Sequence, residues 1–101
     1  MKVKSLKALV ADFGVSLEPT TIFNALVRAG YVEDFEYPST TGSGQMKSFK
    51  KILPHAERFG ENRAAMHPFK TEARFYAEHF PELLAIVVAQ LQKEVDALRK
   101  P

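Results

Sequence analysis

Few residues in this chain of 101 have the types and spacing that chemistry demands. His55, His67 and His79 recur at intervals of twelve. Two metal ligands on one helix face need i, i+3 or i, i+4 positions instead, so surface and capping roles account for these histidines. Glu57 with Glu61, and Glu78 with Glu82, pair as helical neighbours. No nucleophile accompanies either pair, and both read as solvated charges. Gly42-Ser43-Gly44-Gln45-Met46-Lys47-Ser48 ends in Lys-Ser, as a phosphate loop does. Met46 stands where such a loop needs a glycine to curl the backbone around phosphate, and the chain is too short for a nucleotide-binding sheet. Cysteine is absent, which removes disulfides, thiolate nucleophiles and cysteine zinc sites and fits a reducing, cytoplasmic setting. No catalytic residue, metal or cofactor is expected, and binding is left as the function.

Side chains suited to nucleic acid are more numerous. Thr20, Thr21, Asn24 and Arg28 fall on the solvent side of a segment whose apolar face is Ile22, Phe23, Leu26 and Val27. Hydroxyl, amide and guanidinium groups so placed reach phosphates or base edges. Lys47, Lys50 and Lys51 follow a Gly/Ser-rich stretch, and Arg58 and Arg63 extend the basic region. Net charge is only +2, but residues 44–74 carry seven Lys/Arg against three acids, whereas residues 75–101 carry three against four. A local basic surface on a near-neutral chain suits duplex DNA, because phosphate contacts supply most of the affinity. Glu33, Asp34 and Glu36 oppose this reading. On the same face as Lys47 to Lys51 they favour a protein partner; on the opposite face they leave DNA open.

The elements that must position these groups follow from periodicity. Val3, Leu6, Leu9, Val10 and Phe13 recur at helical spacing up to Gly14, predicting a helix over Val3 to Phe13. After Val15-Ser16-Leu17-Glu18, Pro19 opens a second helix that Gly30 closes. The turn is about two residues longer than in the compact helix-turn-helix. Tyr31 to Tyr37 and Met46 to Leu53 read as a β-hairpin, the second arm having a short helix as its alternative, with Ser39 to Gln45 as its Gly/Ser tip. Residues 54–70 hold Pro54, Gly60, Asn62 and Pro68 and read as irregular, with room for one short strand. Thr71 is a candidate N-cap, Pro81 interrupts the pattern, and a long amphipathic helix runs to the end. Within it Leu84, Val88, Leu91, Val95 and Leu98 step by four and three. That is a short heptad stripe able to pair two copies, although Phe80, Ile86 and Val87 widen the apolar face toward the chain's own core. The longest apolar run, Leu83 to Ala89, is too short to span a membrane, and no signal-peptide core is expected at the start.

Taken together, these residues resemble the small winged-helix modules of phage regulatory proteins, especially the C-terminal domains of phage antirepressors of the KilA-C kind. The resemblance is carried by Ala25-Leu26-Val27-Arg28-Ala29-Gly30-Tyr31, by the Ser/Thr/Gly-rich hairpin leading to Lys47 and Lys51, and by Phe59-Gly60-Glu61-Asn62. Lys70-Thr71-Glu72-Ala73-Arg74-Phe75-Tyr76 and Phe80-Pro81-Glu82-Leu83-Leu84 complete it. It covers roughly residues 5–90 and implies binding to DNA or to partner proteins in phage or prophage regulation, with no catalytic residues to carry over. The expected structure is one α+β domain over residues 1–101, a winged helix-turn-helix with a β-hairpin wing and a C-terminal helix over residues 80–100. The expected function is a DNA-binding regulator with Thr20, Thr21, Asn24 and Arg28 in the groove and the lysines on phosphate. A non-catalytic protein-interaction module on the same scaffold is its rival.

Overall fold

The computed structural model describes residues 2–39, 44–67 and 69–100. The fold is α+β, and the described residues form three α-helices, two short 3₁₀ turns and two small antiparallel sheets. Strand β1 (Val3–Lys4) leads into helix α1 (Leu6–Phe13) and helix α2 (Pro19–Ala29). A hairpin of β2 (Val32–Pro38) and β3 (Met46–Ile52) follows, then a 3₁₀ turn over Pro54–Phe59. Strands β4 (Gly60–Ala64) and β5 (Thr71–Tyr76) precede a 3₁₀ turn at Ala77–His79 and helix α3 (Phe80–Arg99). The second sheet has the order β1-β5-β4.

The first helix starts later than periodicity predicts. Ser5 caps it, its hydroxyl accepting the Ala8 N–H at 3.2 Å, so Val3 and Lys4 are freed to pair as a strand with Tyr76 and Phe75. Both N-terminal helices end on glycines in the left-handed region, Gly14 at φ 65° and Gly30 at φ 84°. Each passes its backbone N–H back to the last turn, which is why a residue without Cβ terminates both. Pro19 occupies the first turn of α2 as predicted.

Residues 54–70 contain a 3₁₀ turn in addition to the one short strand for which room was expected, β4. One other expectation is overturned. Thr71 caps no helix: it opens β5, whose residues pair with β4 from Gly60↔Phe75 to Ala64↔Thr71. The local capping preference of threonine yields to long-range pairing, because alternation in Thr71 to Tyr76 buries Phe75 while Glu72 stays in solvent. Helix α3 starts only at Phe80, with Pro81 in its first turn. The second hairpin arm is a strand, not a helix, and Ser39 donates its N–H to the Gln45 carbonyl at 2.9 Å to close the described part of the tip. Thr40 to Ser43 of the expected Gly/Ser tip lie outside the described residues.

The core lies where α1, α2 and α3 meet the second sheet. Leu9, Ile22, Leu26, Phe80 and Val87 have no exposed surface, and Phe59, Phe75 and Leu83 have almost none. Phe23 of α2 packs on Phe75, ring centroids 5.9 Å apart, and so fastens the second helix to β5. The hairpin attaches at its base. Val32 and Ile52 are buried, and the Asn62 side chain exchanges two 2.9 Å hydrogen bonds with the N–H and C=O of Ile52. Gly60 makes this approach possible: a Cβ there would lie 2.1 Å from the Arg74 carbonyl and 2.9 Å from Ile52 Cδ1. At the other edge Ala77 donates its N–H to Lys2 O at 3.1 Å. Glu78 has its carboxyl held below the ordinary value, chiefly by a hydrogen bond to its own backbone and further by the Lys2 backbone.

Candidate interaction surface

Helix α2 presents two different sides. Thr21, Asn24 and Arg28 line a shallow groove with Leu91 and Glu94 of α3, and Arg28 Nη1 meets Glu94 Oε1 at 3.3 Å. Phe23 sits about 150° around the helix from Thr21 and Arg28, and it lines a different cleft with Ser48, Phe49 and Lys50 of the hairpin. Thr20 and Asn24 are exposed. Thr21, Asn24 and Arg28 therefore line a different cleft from the one that Lys50 of the hairpin lines. Sequence spacing carried no information on the side of α2 that α3 would take.

On the hairpin, register decides the charge pattern. Glu33 lies opposite Lys51, Asp34 opposite Lys50, Glu36 opposite Ser48 and Tyr37 opposite Lys47. Residues directly opposite in an antiparallel pair share a face. Acids and lysines are therefore interleaved on both faces, and Lys50 forms an ion pair with Asp34. Lys51 also lies over the Phe35 ring, its ammonium 5.2 Å from the centroid. The second sheet repeats the arrangement: Glu61 and Arg63 of β4 face Arg74 and Glu72 of β5, with Arg63–Glu61 at 2.7 Å and Arg74–Glu72 at 2.8 Å. Arg58 is elsewhere, its guanidinium 4.3 Å above the Phe59 ring. Among the described residues, Lys47, Lys51, Arg58 and Lys70 are cations of this region with no carboxylate in ion-pair contact.

One feature of this region was not anticipated from sequence. Tyr37 of β2 gathers Phe49 at 5.8 Å, His67 at 5.0 Å and Phe69 at 6.3 Å, the last ring stacked on it. Phe35 joins through Phe49 at 6.0 Å. This aromatic cluster ties the hairpin to the segment between β4 and β5. Tyr37 is buried in it, while Phe69 is 52% exposed and Phe35 37% exposed, with Met66 fully exposed on the same segment. The alternation of Phe35, Tyr37 and Phe49 was a legible signal for one hairpin face. The arrival of His67 and Phe69 from thirty residues later was not.

The chain matches no family model, no curated protein and no solved structure.

The histidines stay apart, each beside a different tyrosine: His55 at Tyr31, His67 at Tyr37 and His79 at Tyr76. No group of three or more metal-ligating side chains occurs among the described residues, and no helix there is long and apolar enough to cross a membrane. The α3 stripe divides. Leu84 and Leu91 pack partly against the core, whereas Val88, Val95 and Leu98 are exposed.

Proposed function

We propose that this chain is a non-catalytic protein-interaction module on a winged-helix-like scaffold. The strand order β1-β5-β4, with α1 and α2 placed between β1 and β4, supports that scaffold. A winged helix runs strand, two helices, then two strands whose last member pairs with the first. On this reading the wing is the segment between β4 and β5, and the β2–β3 hairpin is an insertion after the second helix.

The observation that carries the function is the pairing of cations. Arg28, Lys50, Arg63 and Arg74 each hold a carboxylate, and Lys51 faces one across the hairpin. Phosphate would have to displace these carboxylates and lie beside Glu94, Glu33 and Glu36. Interleaved charge around exposed Phe35, Phe69 and Met66 suits a protein surface instead, where aromatic and methionine side chains anchor and a mixed polar rim sets register.

The test is titration of the purified protein into a labelled random-sequence duplex at low and at moderate salt. The expected result is no binding at either. Binding at low salt that collapses as salt rises would restore the DNA reading, with Thr20, Thr21, Asn24, Lys47 and Lys70 as the contacts to pursue. A second copy of the chain is a further partner on this reading, because Val88, Val95 and Leu98 leave an apolar line on α3 uncovered. Leu98→Lys should then lower the mass seen at sedimentation equilibrium, and an unchanged mass would remove that pairing.

A further inference from the structure

Strand β5 is the middle of its sheet, yet it is covered on both sides over only part of its length. β4 pairs with it from Thr71 to Phe75, while β1 reaches only Phe75 and Tyr76. In an antiparallel ladder alternate residues direct their N–H and C=O to opposite neighbours. Ala77 donates to Lys2, so the odd-numbered positions address the β1 side. The Arg74 carbonyl, close against Gly60, addresses β4 as this alternation requires. Thr71 and Ala73 therefore point their backbone groups at an edge that no strand occupies among the described residues.

That edge opens into a cleft of about 390 Å³. Phe23 and Phe49 give it apolar walls, and Lys70 stands there without a carboxylate partner beside Lys50 and Arg74, which are paired with Asp34 and Glu72. Thr71 adds a second sign of an absent partner, for its Oγ1 is buried and has no hydrogen-bond partner. A buried hydroxyl left unpaired is a cost to the fold.

We infer that this cleft takes an extended, acidic segment of a partner protein, added as a strand in line with β1 and antiparallel to β5. The inference rests on the protein-interaction reading above and names its site. Main-chain hydrogen bonds to Thr71 and Ala73 hold the segment, as in other strand additions. Its acidic side chains meet Lys70, which holds no carboxylate of its own, and its apolar side chains lie between Phe23 and Phe49. The net positive wall excludes a basic segment of the same shape.

The test uses a capped eight-residue peptide of alternating valine and glutamate, with an alternating valine and lysine peptide as control, each at up to millimolar concentration. The readouts are peptide affinity and amide hydrogen exchange of the full chain. The expected result is slowed exchange at Thr71 and Ala73 with the acidic peptide, and at least tenfold weaker binding after backbone N-methylation of that peptide. Lys70→Glu, on an exposed side chain, should weaken the acidic peptide at least tenfold and admit the basic one. No binding at millimolar peptide, or binding that leaves Thr71 and Ala73 exchange unchanged, overturns the inference. So does slowing that rises with the protein's own concentration in the absence of peptide, which would assign the edge to a second copy. Duplex binding at low salt sinks the interaction reading itself. Peptide failure without duplex binding removes only this edge.

Discussion

Apolar side chains gather in two places, and the contrast between them separates what holds the fold from what it offers to a partner. In the helical core Leu9, Ile22, Leu26, Phe80 and Val87 are wholly enclosed by three helices and β5. In the hairpin arm, beyond the buried base at Val32 and Ile52, Tyr37 is enclosed while its companions Phe35 and Phe69 reach solvent. The core is built largely from aliphatic side chains that close-pack; the arm is built from rings meeting at 5–6 Å across three chain segments. Burial of this kind sets local stability. The core should open only with global unfolding, and the arm at lower free energy.

The largest test of that contrast is Phe75→Ala, which should cost about 3–5 kcal/mol in urea denaturation. Phe75 is enclosed, packs on the tilted ring of Phe23 and lies on the strand that both β1 and β4 share. A loss below about 1 kcal/mol would mean that β5 is not central to the core. Next comes Gly60→Ala. Its new methyl meets the Arg74 carbonyl, a backbone atom that cannot turn aside, so the cost should approach about 3 kcal/mol. Unchanged stability would place Gly60 farther from β5 than the structure has it.

Asn62→Ala addresses the joint between the two regions. It removes both side-chain bonds to Ile52 and leaves the Ile52 N–H and C=O without those partners, a loss of about 1–3 kcal/mol. Hydrogen exchange should rise in β2 and β3 ahead of α2 and α3. A uniform rise across the chain would mean that arm and core unfold as one unit, and the contrast would fail.

How far the sequence disclosed this division depends on the range of the contacts involved. The helices α1 and α2, their glycine ends and Pro19 were legible, because caps and periodicity act within a few residues. The hairpin and the long last helix were legible for the same reason. Strand β1 was not: two residues cannot display a period, and only the pairing of Val3 and Lys4 with Tyr76 and Phe75 makes them a strand. Nor was β5, where a threonine suited to capping conceals an alternating segment. At the candidate surface, sequence found the lysines and the opposing acids and recognised that their relative placement mattered. Register then put Asp34 against Lys50 and Glu33 against Lys51. The pairing of Arg28 with Glu94 joins residues far apart in the chain, and no local pattern encodes it.

The smallest expected effect is the most discriminating, since it asks whether the aromatic cluster is itself divided. Phe69→Ser removes a half-exposed ring stacked on Tyr37, a contact worth about 0.5–1.5 kcal/mol beyond area. Relief of exposed apolar surface costs nothing in folding, so the net change should stay below about 1 kcal/mol. Tyr37→Ala, which empties the buried centre of the same cluster, should cost roughly 2 kcal/mol. Both variants are read by urea denaturation under the same conditions. If Phe69→Ser costs as much as Tyr37→Ala, the ring is a structural member and the exposed aromatic face is committed to the fold. If the two separate as expected, Tyr37 anchors the arm and Phe69 is left free for a partner. Stability bought at the centre of the cluster then keeps its rim available.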